Sequence, residues 1–168
     1  MIYRIWYAHL DIFDTARRYI ALLNNWKSDP PSRDRLFISD FYLVSPSLLH
    51  LTHMTLDVRR EFNLLKIPRP EHCFIKYPAP PVLYNKMAGV QEQALHNIVG
   101  KGLLDVSLIN KGQLRLSTKG ENFAMDMGKK LVIRDEMEII EFLTSEFVSI
   151  GIGKSGLRAV TGLRRLGT

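Results

Sequence analysis

Five histidines, one cysteine and one glycine-lysine-serine triplet are the residues of this chain whose types and spacing suggest chemistry. Gly153-Lys154-Ser155 has the ending of a phosphate-binding loop. That loop needs a further glycine five residues before Gly153, where Val148 stands, and a preceding strand, where a helix is expected. His50, His53 and Asp57 fall at i, i+3 and i+7, so one helix can show all three on one side. A metal centre needs ligands converging from a second element, and no second His/Cys cluster is present. The bland reading, a hydrogen-bonded helix face, is therefore preferred; a small hydrolase built on His50 and His53 is the weakest of the functional alternatives. His9 beside Asp11 resembles an acid-base pair, but Asp11 is better placed as a helix cap. Cys73 lacks the basic or helix-start surroundings that make a thiolate, so it reads as an ordinary thiol. No catalytic residue, cofactor site or metal site is assigned, and the chain is not expected to be an enzyme.

The elements that would hold these residues follow from periodicity. Asp11 caps a helix whose buried stripe is Ile12, Ala16, Tyr19, Ile20 and Leu23, with Arg17 and Arg18 mostly off it. Pro30 and Pro31 break the chain, and a second helix runs over Arg33–Val44, carrying Leu36, Phe37, Phe41 and Val44. Pro46 ends it, and residues 47–65 read as helical again. Five prolines between residues 66 and 81 make an extended connector. From Tyr84 to Met127 the order is helix, tight turn, β-hairpin, helix. Val90, Ala94, Leu95, Ile98 and Val99 give the first helix one buried face, and Gly100 and Gly102 stop it. Leu104, Val106 and Leu108 alternate with polar residues as a strand does, Asn110-Lys111-Gly112 supplies a turn, and Leu114-Arg115-Leu116 begins the return. Thr118 and Glu121 form a capping box before Phe123, Ala124 and Met127. A further helix is expected over about 135–148. The fold class read from this order is mostly α (α+β): a winged helix-turn-helix with one β-hairpin wing, flanked by N-terminal and C-terminal helices. The expected organisation is an N-terminal helical region over 1–65, the connector over 66–81, the winged-helix core with its following helices over 82–149, and a basic tail over 150–168.

The reading-head helix would be Val90-Gln91-Glu92-Gln93-Ala94-Leu95-His96-Asn97. Gln and Asn can read adenine edges, but affinity for DNA comes mainly from Lys and Arg on phosphates. This helix has neither, and Glu92 would repel a phosphate. Protein docking is therefore favoured over base reading. The formal net charge of +6 is less telling than it looks, because residues 151–168 hold four cations and no acid, leaving 19 basic against 17 acidic residues elsewhere. Non-specific nucleic-acid contact is assigned to Lys101, Lys111, Arg115, Lys154, Arg158, Arg164 and Arg165. The tail is too rich in glycine for a firm helix alone, yet Leu157, Val160 and Leu163 recur at i+3, so it is expected to order on docking. These three, with Phe74 and Tyr77 of the connector, are the candidate partner-binding residues. One cysteine among 168 residues excludes an internal disulfide framework. No apolar run approaches the roughly 20 residues of a membrane span, and no signal peptide is recognised. A cytoplasmic location is expected.

Residues 2–23, with the order Ile-Tyr then HLDIFDTARRYIALL, the DRLFISDFYLVSP segment, and NKMAGVQEQALHNIVGKGLLD after the prolines together resemble the middle component of bacterial ABC-three-component conflict systems. The Lamassu-type anti-phage complexes are the nearest of these. The likeness covers most of residues 1 to about 150 and does not extend to the tail. It implies a non-catalytic adaptor between an SMC-like ABC ATPase and an effector subunit, often a nuclease, with double-stranded DNA reached through the complex. It carries over no catalytic residues. The alternative is a free-standing winged-helix transcription regulator, which would dimerise on a palindromic operator.

Overall fold

The structure, a computed structural model, describes residues 7–166 apart from Ile75, Arg134 and 153–155. The helix α1 (Ile12–Asn24) runs through the middle. The Asp11 carboxylate accepts the backbone N–H groups of Phe13 and Asp14, as its position before an amphipathic run predicts. Beyond the first turn, α1 is buried on nearly every side, from Tyr19 through Leu23. It packs against α2 (Arg33–Val44), α5 (Ala88–Gly100), α7 (Thr118–Met127) and α8 (Met137–Thr144). Helix α2 is equally enclosed, with every residue from Leu36 to Leu43 buried. These two enclosed helices form the centre of the molecule, with Arg18 of one paired to Asp40 of the other, and Asp11→Ala should cost about 1 kcal/mol by unpinning the start of α1. A urea titration read by circular dichroism checks this.

The shorter elements follow the local chemistry. Pro46–Leu51 is a 3-10 turn leading to α3 (Leu56–Leu64). The connector makes one 3-10 turn at Pro70–His72 and then enters α4 (Pro80–Lys86), whose two leading prolines sit where a helix has no use for an N–H. Gly102, at φ +71°, turns the chain out of α5. Helix α8 ends at Thr144, four residues short of the expected end at 148. There the Thr144 and Ser145 hydroxyls donate back to the Ile140 and Glu141 carbonyls, and Phe147–Ser149 continues as a 3-10 turn.

The β-hairpin wing is absent, and the winged-helix reading falls with it. Among the described residues there is no strand, only two isolated antiparallel bridges, Leu104 with Leu116 and Ser32 with Gln113. Between them Val106–Ile109 forms one helical turn, α6. Asp105 decides this: its carboxylate accepts from both the N–H and the hydroxyl of Ser107, which folds the backbone locally instead of extending it. Val106, which a strand would have buried beside Leu104, is 62% exposed. The returning chain keeps only a short contact with the expected partner, Asp105 N–H to the Arg115 carbonyl and Ser117 N–H to the Leu103 carbonyl, while Leu114 N–H goes to the Pro31 carbonyl of the proline linker, each at 2.9 Å. The cap of α7 also lies one residue earlier than the capping box predicts. Ser117, not Thr118, accepts the Gly120 N–H, and its hydroxyl donates to the Gly102 carbonyl.

The last segment orders against its own chain. After α9 (Gly156–Thr161), Leu163 is fully buried and Leu157 nearly so, and His53 donates its N–H to the Val160 carbonyl. The apolar core is one cluster that draws on α1, α2, α4, α5, α7, α8 and this tail. No helix among the described residues is long and apolar enough to cross a membrane.

Candidate functional site: a buried relay ending in an arginine slot

His50 bonds the Ile67 carbonyl through Nε2 and lies edge-on to Phe62, while Asp57 faces Arg60 at 3.5 Å. No cluster of three His, Cys, Asp or Glu residues able to hold a metal occurs among the described residues. Cys73 is half-buried, with its Sγ 3.1 Å from the Ser47 hydroxyl. Gly153-Lys154-Ser155 lies outside the described residues.

The assigned cations differ in their surroundings. Lys101, Lys111, Arg115 and Arg164 are exposed, Arg158 pairs with Asp34 at 2.5 Å, and Lys154 is not described. Of the partner-binding candidates, Phe74 is wholly exposed. Tyr77 is half-buried on a cleft of about 500 Å³ shared with Leu48, Leu51, Cys73 and Pro78. Leu157, Val160 and Leu163 are packed inside the chain.

The constellation with the most convergent polar groups lies between α1, α2, α5 and the tail. Arg18 and Asp40 are both buried, with Arg18 Nε donating to Asp40 Oδ1 at 2.5 Å. The remaining guanidinium nitrogens of Arg18 reach the Asp14 carboxylate, the Thr15 hydroxyl and the Ala8 carbonyl. Burial alone would lower the pKa of Arg18, but Asp40 and Asp14 more than reverse it, so the group stays a cation. The second Asp40 oxygen accepts from Gln91 Nε2 at 2.7 Å, and that same nitrogen donates to the Phe37 carbonyl. With both amide hydrogens committed, Gln91 turns its Oε1 outward, where the Arg165 guanidinium donates to it. Arg165 also donates to the Tyr84 carbonyl and lies 3.7 Å from the centroid of the Tyr84 ring, with Phe37 at 5.7 Å. Burial lowers its pKa and pushes that of Tyr19 well up. The Tyr19 hydroxyl donates to the Gln91 carbonyl, fixing α5 on α1.

This relay holds an arginine, Arg165, at its outer end. Each carboxylate in it is held by a guanidinium, and no nucleophile faces a free base. Sequence reasoning placed Gln91 on a reading head and Arg18 off the buried stripe. Arg18 and Asp40 could have been found as opposite charges set within apolar runs, each at the spacing of a buried face.

The family model for ABC-three component (ABC-3C) system Middle Component 5 matches residues 4–166. The chain belongs to that family. No curated protein and no solved structure matches it. Membership agrees with the resemblance at the level of an ABC-three-component middle component, and the match extends over the tail. For this middle component it implies protein partners, since the family is one part of a three-part system.

The 3-10 turn Ala8–Leu10, just before α1, carries a histidine with a shifted pKa. Burial lowers the pKa of His9 below 6.5, and the nearby charges of Arg18 and Lys86 lower it further. The unfolded chain therefore binds more protons than the native one just below pH 6.5. Stability should fall as pH drops from 6.5 to the depressed native value and level off below it. His9→Gln should flatten that part of the profile, measured as urea midpoints between pH 5 and 7.5.

Proposed function

We propose that this middle component is a non-catalytic adaptor of an anti-phage complex of the Lamassu kind. In this reading it bridges an SMC-like ABC ATPase and an effector subunit of the nuclease type, in the cytoplasm. Membership of a middle-component family is the observation that carries it. The surface supports it: Phe13, Phe74 and Met125 stand at least two-thirds exposed, with 79%, 103% and 69% of their surface open. Large apolar side chains this open are candidates for contact where they join a wider apolar patch. Phe13 and Met125 line two grooves on either side of α7.

Auxiliary contact with double-stranded DNA would fall to Lys101, Lys111, Arg115 and Arg164, with Lys154, because Arg158 and Arg165 are engaged within the chain. Few phosphate contacts give shallow salt dependence. The test is co-expression with the neighbouring ATPase and effector. The adaptor should co-elute with both on size exclusion, and Phe74→Ser should weaken co-elution while leaving stability within about 0.5 kcal/mol, as for a surface change. A chain that purifies alone and co-elutes with neither partner would sink the reading. The regulator alternative loses its winged-helix basis, because the expected wing forms no strand among the described residues and Gln91 is buried.

A further inference from the structure

The tail is gripped by groups that recognise a peptide rather than merely pack against one. Asn85, on α4, holds the backbone on both sides of Arg165. Its Nδ2 donates to the Arg164 carbonyl at 2.8 Å, and its Oδ1 accepts the Leu166 N–H at 2.9 Å. A carboxamide bonded to the carbonyl of one residue and the N–H two positions on fixes an extended segment whatever its side chains. Selectivity then comes from two pockets. Arg165 enters the slot made by the Tyr84 ring, the Tyr84 carbonyl and Gln91 Oε1, which is a fork of acceptors and an aromatic face suited to guanidinium and poorly matched to an ammonium. Leu163, two residues before, is fully buried. Arg164 and Leu166 point into solvent, Leu166 with 84% of its surface open. The read pattern is leucine, any residue, arginine. Gln91 is preset for it, since Asp40 and Phe37 orient its amide.

We infer that the cleft between α4 and α5 is a linear-peptide site for a leucine–x–arginine segment. Residues 163–166 fill it in cis, and a protein component of the same system that carries such a segment displaces the tail. The identity of the displacing chain rests on the adaptor reading; the cleft does not. A tethered tail competes at an effective concentration on the order of millimolar, so the site is closed to weak ligands until a partner supplies added contacts elsewhere.

The test is a labelled peptide of residues 156–166 titrated by fluorescence anisotropy into two full-length proteins, the natural chain and Leu163→Ser/Arg165→Ala, whose own tail is loosened. Binding to the double variant should be at least ~10-fold tighter than to the natural chain, in line with removal of that tethered competitor. It should disappear when Asn85→Ala is added or when the peptide carries Arg165→Ala. Equal affinity for both proteins, or binding indifferent to Asn85→Ala, overturns the inference. If the double variant loses its helical spectrum, hydrogen exchange on the natural chain decides. Amides of Gly162 and Leu166 exchanging well ahead of those in α5 support a releasable tail; exchange only with global unfolding overturns it. A natural chain that sediments as a dimer, and becomes monomeric on Asn85→Ala, makes a second copy the occupant and overturns displacement by a partner. Failure of co-elution with the ATPase and effector removes the adaptor role and leaves the peptide result standing.

Discussion

Asp40→Ala should be among the most damaging single substitutions in this protein, costing about 3–5 kcal/mol of stability. The residue is wholly buried, and both its oxygens are in use, one by Arg18 and one by Gln91. Removing it strands a guanidinium that is itself buried, with Asp14 as the remaining charged partner. The cost is that of an uncompensated charge in a low-dielectric interior, not of one lost contact. For a chain this long it corresponds to a drop in Tm of about 10 °C. The pair itself is a different matter. Replacing both members, Arg18→Met with Asp40→Leu, removes the desolvation penalty along with the attraction, and should recover most of the loss. A double-mutant cycle in urea separates the two effects. If Asp40→Ala alone melts within a degree of the natural chain, the buried relay is not where the structure puts it. The same substitution should also loosen Gln91 and raise hydrogen exchange in residues 157–166, because the slot for Arg165 is oriented through Asp40.

Gly120→Ala should destabilise by about 2–3 kcal/mol, although alanine is ordinarily the better helix former. A Cβ at that position would lie 2.1 Å from the Leu103 carbonyl oxygen and 3.2 Å from the Leu116 Cβ. Neither neighbour is free to retreat. The Leu103 carbonyl accepts the Ser117 N–H, and the Ser117 hydroxyl donates to the Gly102 carbonyl, so the segment before α7 is tied to the turn after α5. Alanine must push α7 off that turn and disturb the contact between α7 and α1. Gly89→Ala, in α5 with nothing within 4 Å of its Cβ, is the control and should be neutral or stabilising by up to about 1 kcal/mol. Opposite signs for the two variants in thermal melts are the expected outcome. Matching signs would mean that the close approach of α7 to Leu103 is wrong.

The two central helices were legible because their signals are local. Asp11 stands before a run with apolar residues three and four apart, and prolines bracket Arg33–Val44. Each of these acts through neighbours within one turn, which periodicity and capping rules capture. The same locality made the wing misleading. Leu104, Val106 and Leu108 alternate over five residues, too few for the pattern to outweigh one aspartate that bonds its own backbone. Where a strand was read, the side chain of Asp105 had already offered the chain a tighter turn.

The sequence by itself determined the longer helices α1, α2 and α5, the proline breaks and the middle-component resemblance, all of which reside in residues near one another along the chain. The tertiary structure alone decided that Arg18 is a buried cation, that Gln91 is an interior relay and not a reader of bases, and that the tail returns to its own body. Each of those fates depends on what faces the residue across 20 to more than 70 positions of chain: Asp40 opposite Arg18, and Arg165 opposite Gln91. An arginine on an amphipathic helix costs little in water and a great deal in a core, and only the arrival of its carboxylate from another helix makes the second environment tolerable.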